Sequence, residues 1–189
     1  MSKIIDFISV AKLKERTPIN FNVEPQLVTM AIRTSQDIHI QTATGTSLYK
    51  KLKALIEDDS IEAAENEKYK TLLDDYIEDS LIQWALVESL KFIRMKIMNK
   101  SVSSENSDNS TPVDATELRI LSQSIKNNAE WYSQRLIDFL KANESDYPEY
   151  SDNDDCDEIK PVNSEYFTGI ELEDLPSSNA EYWERLSKQ

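Results

Sequence analysis

The stretch QDIHIQTATGTSLYKKL, Gln36–Leu52, contains one of only two glycines in the 189-residue chain and decides the fold around it. Apolar residues recur at three- and four-residue steps on both sides of Gly45, which is the spacing of helices with one apolar face. These residues are Leu27, Val28, Ala31, Ile32, Ile38, His39 and Ala43 before the glycine, and Leu48, Tyr49, Leu52, Leu55 and Ile56 after it. We therefore predict two helices that meet in a tight corner at Gly45.

The N-terminal boundaries of the first helices are marked by proline and serine. Pro25 is expected to begin the helix before the corner, because a proline in the first turn lacks only an amide that has no helical partner there. Upstream, Ser9 can cap a short helix from Val10 to Arg16. The sequence thus predicts an extended N-terminal segment with a short helix, residues 1–20.

Two longer helical patterns follow, and we expect them to pair antiparallel. No glycine or proline interrupts the pattern from Glu67 to Met98, and at about 1.5 Å per residue such a helix is roughly 48 Å long. The second pattern ends near Asn143 and has a near-heptad apolar stripe. Its members are Leu118, Leu121, Ile125, Ala129, Tyr132, Leu136 and Phe139. Trp84 and Trp131 fall within these helices and are predicted to lie in the core.

The polar, serine-rich segment NKSVSSENSDNSTPV separates the long helices. It shows no periodicity and is longer than the usual connection of about 2 to 8 residues between bundled helices. We interpret residues 99–113 as a loop, either a disordered insertion, which the composition favours, or a projecting arm. Residues 21–143 then form one helical bundle domain.

Composition excludes several classes of protein. The net charge is −14, and residues 144–189 carry most of it, with 14 acidic and 3 basic side chains. No large segment has the excess of lysine and arginine that high-affinity nucleic-acid binding requires, so we expect no specific nucleic-acid partner. No apolar run approaches the roughly 20 residues of a membrane span, and residues 1–10 lack a signal-peptide pattern. The lone Cys156 excludes an intrachain disulfide.

Residues 144–189 are predicted to form an acidic C-terminal arm with a short strand and a terminal helix. Alternation from Tyr166 to Leu172 indicates the strand, and Ser177–Lys188 has helical spacing. The candidate protein-interface residues of this arm are Tyr166, Phe167, Ile170, Leu172, Tyr182, Trp183 and Leu186. A helix this short is marginal alone, so it should fold against a partner or against its own subunit. A solvated tail without a specific partner is the alternative for the acidic run.

No set of residues predicts catalysis, a cofactor or a metal site. His39 is the only histidine and is expected to be a core or interface residue. The carboxylates Asp74, Asp75, Glu78 and Asp79 flank an apolar stripe, which is typical of a solvated helix face. The acidic run DNDDCDE, residues 152–158, departs from the EF-hand pattern, because Asp157 replaces the required glycine. We expect no enzyme activity and no bound metal.

The Gly corner and the motif DYPEY, Asp146–Tyr150, together resemble the head-to-tail connector family of tailed bacteriophages, most closely the neck ring proteins of crAss-like phages. That family has an extended N-terminus, a helix ending in a Gly turn, a Leu-Tyr-x-x-Leu helix, two long helices and a Pro-Glu-Tyr motif. Here Leu48, Tyr49 and Leu52 supply the helix motif, and residues from about 9 to 150 follow the family's order.

The residue patterns predict a mainly α fold, namely a helical bundle built on a long antiparallel helix pair, with an extended N-terminus and an acidic C-terminal arm. The resemblance implies a viral structural protein of the virion neck, made in the host cytoplasm, that joins the portal vertex to the tail around the DNA channel. Its expected partners are further copies of itself in a ring, commonly of twelve, the portal protein and adjacent neck or tail ring proteins. The alternative is a non-viral helical adaptor or regulator that binds one partner through the acidic arm.

Overall fold

A computed structural model describes residues 4–19, 22–93, 95–98, 101–104, 115–151 and 159–162, and these residues are mainly helical. The α-helices are α1 (Val10–Arg16), α2 (Pro25–Ser35), α3 (Gln41–Thr44), α4 (Thr46–Glu57), α5 (Glu67–Leu72), α6 (Glu78–Ile93), α7 (Ala115–Ala142) and α8 (Pro148–Ser151). Two π-helical turns, Gln36–Ile40 and Leu73–Ile77, join α2 to α3 and α5 to α6. Two 3-10 turns, Ala64–Asn66 and Glu144–Asp146, precede α5 and α8. The fold is a helical bundle built on the antiparallel pair of α6 and α7.

The predicted corner at Gly45 is confirmed. Its backbone has φ 77° and ψ 161°, a conformation that side chains with a Cβ strongly disfavour. The Gly45 amide donates to the carbonyl of Gln41 at 2.9 Å, and its carbonyl accepts from the amide of Tyr49 at 3.1 Å. One glycine thus ends α3 and begins α4 without an intervening loop.

The N-terminal prediction is also confirmed. Helix α1 spans Val10–Arg16, and the side chain of Ser9 accepts a hydrogen bond from the Lys12 amide at 3.1 Å. Leu13 of this helix is fully buried. The segment before it is anchored as well, because Gln36 bonds the Phe7 amide at 2.8 Å and the Ile5 carbonyl at 2.9 Å.

Helix α6 lies between its two main neighbours, α2 and α7, and therefore buries a wide apolar surface. Its fully or nearly fully buried side chains include Leu81, Ile82 and Ala85. Burying a leucine or isoleucine side chain contributes about 1.5–3 kcal/mol, so this helix is a main source of stability. The wide apolar face that the sequence shows is thus used within the subunit.

Small polar side chains let α6 and α7 approach closely. The hydroxyls of Ser80 and Ser133 lie 3.0 Å apart, and the indole of Trp84 donates to Ser133 Oγ at 2.7 Å. Trp84 is 3% exposed, which confirms its predicted core position. One turn before Ser80, in the π turn that precedes α6, the ring of Tyr76 stacks on Phe139 of α7 with centroids 3.9 Å apart.

The predicted helix from Glu67 to Met98 extends too far, because its last four residues form a β-strand. Helix α6 ends at Ile93, and strands β1 (Met95–Met98) and β2 (Ser101–Ser104) form an antiparallel hairpin with Met95 opposite Ser104. The segment MKIM alternates apolar and polar residues over its first three positions, and β-branched Ile97 and Val102 are opposite each other, as strands favour. The interpretation of 99–113 as a loop is therefore wrong for Ser101–Ser104. Residues 99–100 and 105–113 lie outside the described residues.

The packed bundle also extends past the boundary that the sequence placed at residue 143. Tyr147 and Tyr150 are 2% and 3% exposed and belong to the same apolar core as the long helices. Periodicity misses this region because the elements are single turns, too short to show a helical repeat. Within the described residues, no helix combines the length and apolarity needed to cross a bilayer.

Candidate protein interface

The interface residues predicted in the acidic arm all lie outside the described residues. They are Tyr166, Phe167, Ile170, Leu172, Tyr182, Trp183 and Leu186. The structure describes residues 159–162 of the arm, which contact the bundle. It also describes two exposed apolar surfaces on the bundle, one on α2 and one on α7. These surfaces, with the groups around them, form the candidate site.

Residues 159–162, here called the strap, bind the Gly45 corner through backbone hydrogen bonds. The Thr46 amide donates to the Ile159 carbonyl at 3.0 Å, and the Ile159 amide donates to Thr46 Oγ1 at 2.9 Å. Three residues further on, the Val162 amide donates to the carbonyl of Thr42 at 3.1 Å. The strap therefore runs antiparallel to the helical segment that precedes the corner.

Thr46 is the centre of this attachment. Its side chain is nearly buried, and its hydroxyl also accepts a hydrogen bond from the Gln41 amide group at 3.1 Å. A single hydroxyl thus joins α3, α4 and the strap. Sequence reasoning missed this contact because the partners are 113 residues apart along the chain.

The first outward apolar surface lies on α2 and the π turn after it. Met30 and Ile38 are 41% and 54% exposed, and a shallow groove lies beside Met30. We call Met30, Ile38 and the groove the α2 strip; the groove is lined by Pro25, Gln26, Thr29, Met30, Arg33, Thr34 and Asp37. The sequence placed Ile38 on the buried face, but the π turn of Gln36–Ile40 changes the helical register there and turns Ile38 outward.

The second outward apolar surface lies on the N-terminal half of α7. Ile120, Leu121 and Trp131, the α7 strip, are 63%, 50% and 61% exposed. Ile120 and Trp131 are eleven residues apart and share one face, since eleven residues make about three helical turns and a spacing of about 16 Å. The Trp131 ring meets the edge of Tyr132 with centroids 4.9 Å apart.

The predicted core positions of Trp131 and Leu121 are thus wrong. Trp131 lies two residues from each of Ala129 and Ser133, which are buried against α6, so the indole points to the opposite side of the helix. The paired small residues Ser80 and Ser133 are the sequence signal that would have fixed this register. Leu121 is half exposed as well.

The carboxylates of the long helix divide into two groups. Asp74 and Asp75 are exposed as predicted, but Glu78 is buried and the predicted solvated position is wrong for it. Glu78 binds Lys12 at 2.5 Å and Arg16 at 2.9 Å. The ion pairs attach α1 to α6 and neutralise the carboxylate that the sequence placed in water.

Asp79 completes this ion-pair cluster. It contacts Arg16 at 2.8 Å and Arg135 of α7 at 3.4 Å, and the hydrogen bond to Asp79 raises the pKa of Arg16 despite partial burial. Because the buried Glu78 and the partly buried Asp79 are both paired with cations, the cluster joins α1, α6 and α7.

His39 stacks on Trp84, with ring centroids 3.5 Å apart and planes only 6° from parallel. Its Nε2 lies 4.0 Å from a Glu88 oxygen. Burial lowers the pKa of His39 to about 4, against an opposing effect of Glu88, and Lys91 and Lys126 lower it further. A neutral imidazole packed in the bundle agrees with the predicted core or interface histidine.

Metal-binding side chains do not converge anywhere in the part of the chain that the structure describes, since no group of three or more His, Cys, Asp or Glu is placed to hold an ion. The acidic run 152–158 lies outside that part.

The two motifs that carry the family resemblance meet in the fold. Helix α4, with the Leu-Tyr-x-x-Leu motif, packs against α8, which begins at Pro148 of the Pro-Glu-Tyr motif. The Tyr147 hydroxyl donates to the Lys68 carbonyl at 2.9 Å, and Tyr69 donates to Glu149 at 2.9 Å. Burial raises the pKa of Tyr147 to about 12, so its hydroxyl stays a donor at neutral pH.

Together these features define a mainly helical protein in which the strap, residues 159–162, lies over a glycine corner of the bundle. A family model described as "Family of unknown function (DUF6712)" matches residues 40–160, and the chain belongs to that family. The matched stretch begins just before the corner and ends within the strap. No curated protein matches the chain. No solved structure matches it either.

Proposed function

We propose that this protein is a structural subunit of the head-to-tail connector of a tailed bacteriophage, in a ring that joins the portal vertex to the neck and tail around the DNA channel. The observation that carries the proposal is the packing of α4 on α8, because these elements bear the two motifs shared with connector proteins. Both motifs lie within the stretch that the family model matches. The order of helices between them also follows the connector order.

The α7 strip supports an assembly role. A ring of identical subunits requires a surface on each copy that binds a different surface on the next copy. Ile120 and Trp131 are exposed apolar side chains about 16 Å apart on one face of α7, and the polar residues Ser124 and Asn127 lie between them. Aromatic side chains of this kind are enriched where protein interfaces derive most of their binding energy.

The charge of the chain suits a position around packaged DNA. At a net charge of −14, the protein repels the phosphate backbone and so does not hold DNA in the channel. Arg16, Arg33 and Arg135, which would otherwise attract phosphate, are all paired with aspartates in the bundle.

The direct test combines the purified full chain with the portal protein encoded in the same genome. Mass photometry and negative-stain microscopy should show a ring of many copies bound to the portal, with the portal's symmetry, commonly twelvefold. Immunogold labelling of purified virions should place the protein at the neck.

The proposal fails if the chain binds neither the portal nor any neck or tail protein from that genome. A complex of small fixed stoichiometry with one other protein would instead establish the helical adaptor alternative. Turnover of a substrate by the purified chain would also contradict the proposal.

A further inference from the structure

The strap points along α2, and its direction predicts where the following residues go. From Ile159 to Val162 the strap passes from Thr46 to Thr42, toward the N-terminus of the preceding helical segment. Ile38 is one turn beyond Thr42 on the same helical column, and the Thr42 hydroxyl donates to the Ile38 carbonyl. The chain that leaves Val162 is therefore already directed toward the α2 strip.

We propose that residues 163–170 continue along α2 in the same subunit and cover the α2 strip, with Tyr166 at the level of Arg33 and Thr34. An extended chain advances about 3.3 Å per residue and a helix about 1.5 Å, so each arm residue passes about two helix residues. Four residues beyond Val162, Tyr166 has advanced about 13 Å, which is the distance of about nine helix residues from Thr42.

The length of residues 163–170 and the alternation of their side chains agree with this placement. The α2 strip extends from Ile38 to Pro25, and Ile170 is the residue that reaches the Pro25 end, about 26 Å from Thr42. The alternation of Tyr166, Thr168 and Ile170 gives one apolar edge to lie over Met30 and Ile38, whose exposed side chains otherwise remain in water.

The charge of the facing residues is compatible with this register. Ser164 shares the edge of Tyr166 and Ile170, and this neutral residue arrives near the exposed carboxylate of Asp37. This intrachain docking does not depend on the connector function, so either can fail without the other.

Disulfide trapping in the full chain tests the docking. In a Cys156→Ser background, which removes the only natural cysteine, Thr34→Cys is combined with Tyr166→Cys. The matched control combines Tyr166→Cys with Asn127→Cys, an exposed position on α7. We expect the Thr34 pair to close more than about tenfold faster under mild oxidation, because docking raises the effective concentration of the two thiols.

Mixing isotopically heavy and light copies before oxidation separates docking within a chain from docking between chains. The proposal expects only heavy–heavy and light–light products, each from one chain. Equal rates for the Thr34 and Asn127 pairs, or heavy–light products from the Thr34 pair, would overturn it.

A second test of the docking uses NMR spectroscopy and places the substitutions in the arm, so that the sequence of α2 stays unchanged. The methyl resonance of Met30, assigned with Met30→Leu, should shift when Tyr166 and Phe167 are both replaced by serine, because the nearby aromatic rings are lost. Replacement of Tyr182 and Trp183 by serine removes two aromatic rings from the end of the arm and should leave the resonance in place. An unshifted Met30 signal in the first variant would contradict the docking.

Discussion

At the scale of single residues, the chain's one histidine is held neutral by its surroundings. His39 lies against the Trp84 ring, and burial lowers its pKa from the ordinary value of 6.5 to about 4. The unfolded chain therefore takes up a proton before the folded protein does as the pH falls. The neutral imidazole contributes stability above about pH 6.5 that is lost progressively between pH 6.5 and 4.

Replacement of His39 by phenylalanine isolates this effect, since the variant keeps a ring on Trp84 and all the carboxylates. Between pH 7 and 4.5, the free energy of unfolding of the natural protein should fall by about 1–3 kcal/mol more than that of His39→Phe. Urea unfolding followed by tryptophan fluorescence measures the difference. Parallel pH profiles for the two proteins would show that His39 does not titrate abnormally.

Glu78 is a buried residue whose charge is expected to stabilise the attachment of α1 to α6. Its carboxylate is buried and accepts hydrogen bonds from both Lys12 and Arg16. Glu78→Gln keeps the shape but removes the charge, so we expect a loss of about 1–3 kcal/mol in the free energy of unfolding, the range for hydrogen bonds to charged groups.

The matched control is Asp74→Asn, one helical turn earlier, which makes the same charge change at an exposed position. This control should alter stability by less than about 0.5 kcal/mol. If chemical denaturation gives the same small change for both variants, the Glu78 ion pairs do not stabilise the attachment of α1.

At the scale of elements, the strap is held by two backbone hydrogen bonds and by one hydrogen bond to a side chain, that of Thr46. Thr46→Val retains the size and β-branching of the side chain but removes the oxygen that accepts from the Ile159 amide. We expect the Ile159 amide to exchange with deuterium about five- to tenfold faster, as the loss of a net hydrogen bond of about 1 kcal/mol implies.

Thr17→Val is the control for this change, because the Thr17 hydroxyl donates to the Leu13 carbonyl at the end of α1. It should leave exchange at Ile159 unchanged. Equal protection of Ile159 in both variants would show that the backbone hydrogen bonds to Thr46 and Thr42 hold the strap without the hydroxyl.

Elements with a long periodic pattern were predictable, and those whose form depends on a partner were not. Helix α1 matches its predicted bounds, and α2 begins at Pro25 as expected. The end of α6 was missed because helix-forming and strand-forming patterns overlap in the short apolar segment after Ile93. The π turns were missed because an inserted residue changes the register without changing the composition.

At the scale of the whole molecule, the α7 strip is the surface most available for assembly. Ile120→Glu places a charge in an apolar contact, and burial of an unpaired charge is strongly unfavourable. If the α7 strip joins copies in the ring, we expect this variant to reduce binding between copies at least about tenfold. The folded subunit should keep its stability, because Ile120 is 63% exposed.

Gln123→Glu is the matched control, as it adds the same charge to an exposed position one turn along α7. Mass photometry with the portal should show rings for this control and a loss of rings for Ile120→Glu. Normal rings in Ile120→Glu would exclude the α7 strip as a contact between copies and leave the connector function to be tested by other surfaces.

The helical class, the corner at Gly45 and the pairing of the long helices follow from local signals, because periodicity, glycine and capping residues act over a few neighbouring positions. The burial of Glu78, the outward position of Trp131 and the hydrogen bonds of the strap to Thr46 and Thr42 become visible in the folded chain alone. Each of these depends on groups more than 40 residues apart or on the rotational register of one helix against another. Such contacts arise from packing, which no local pattern specifies.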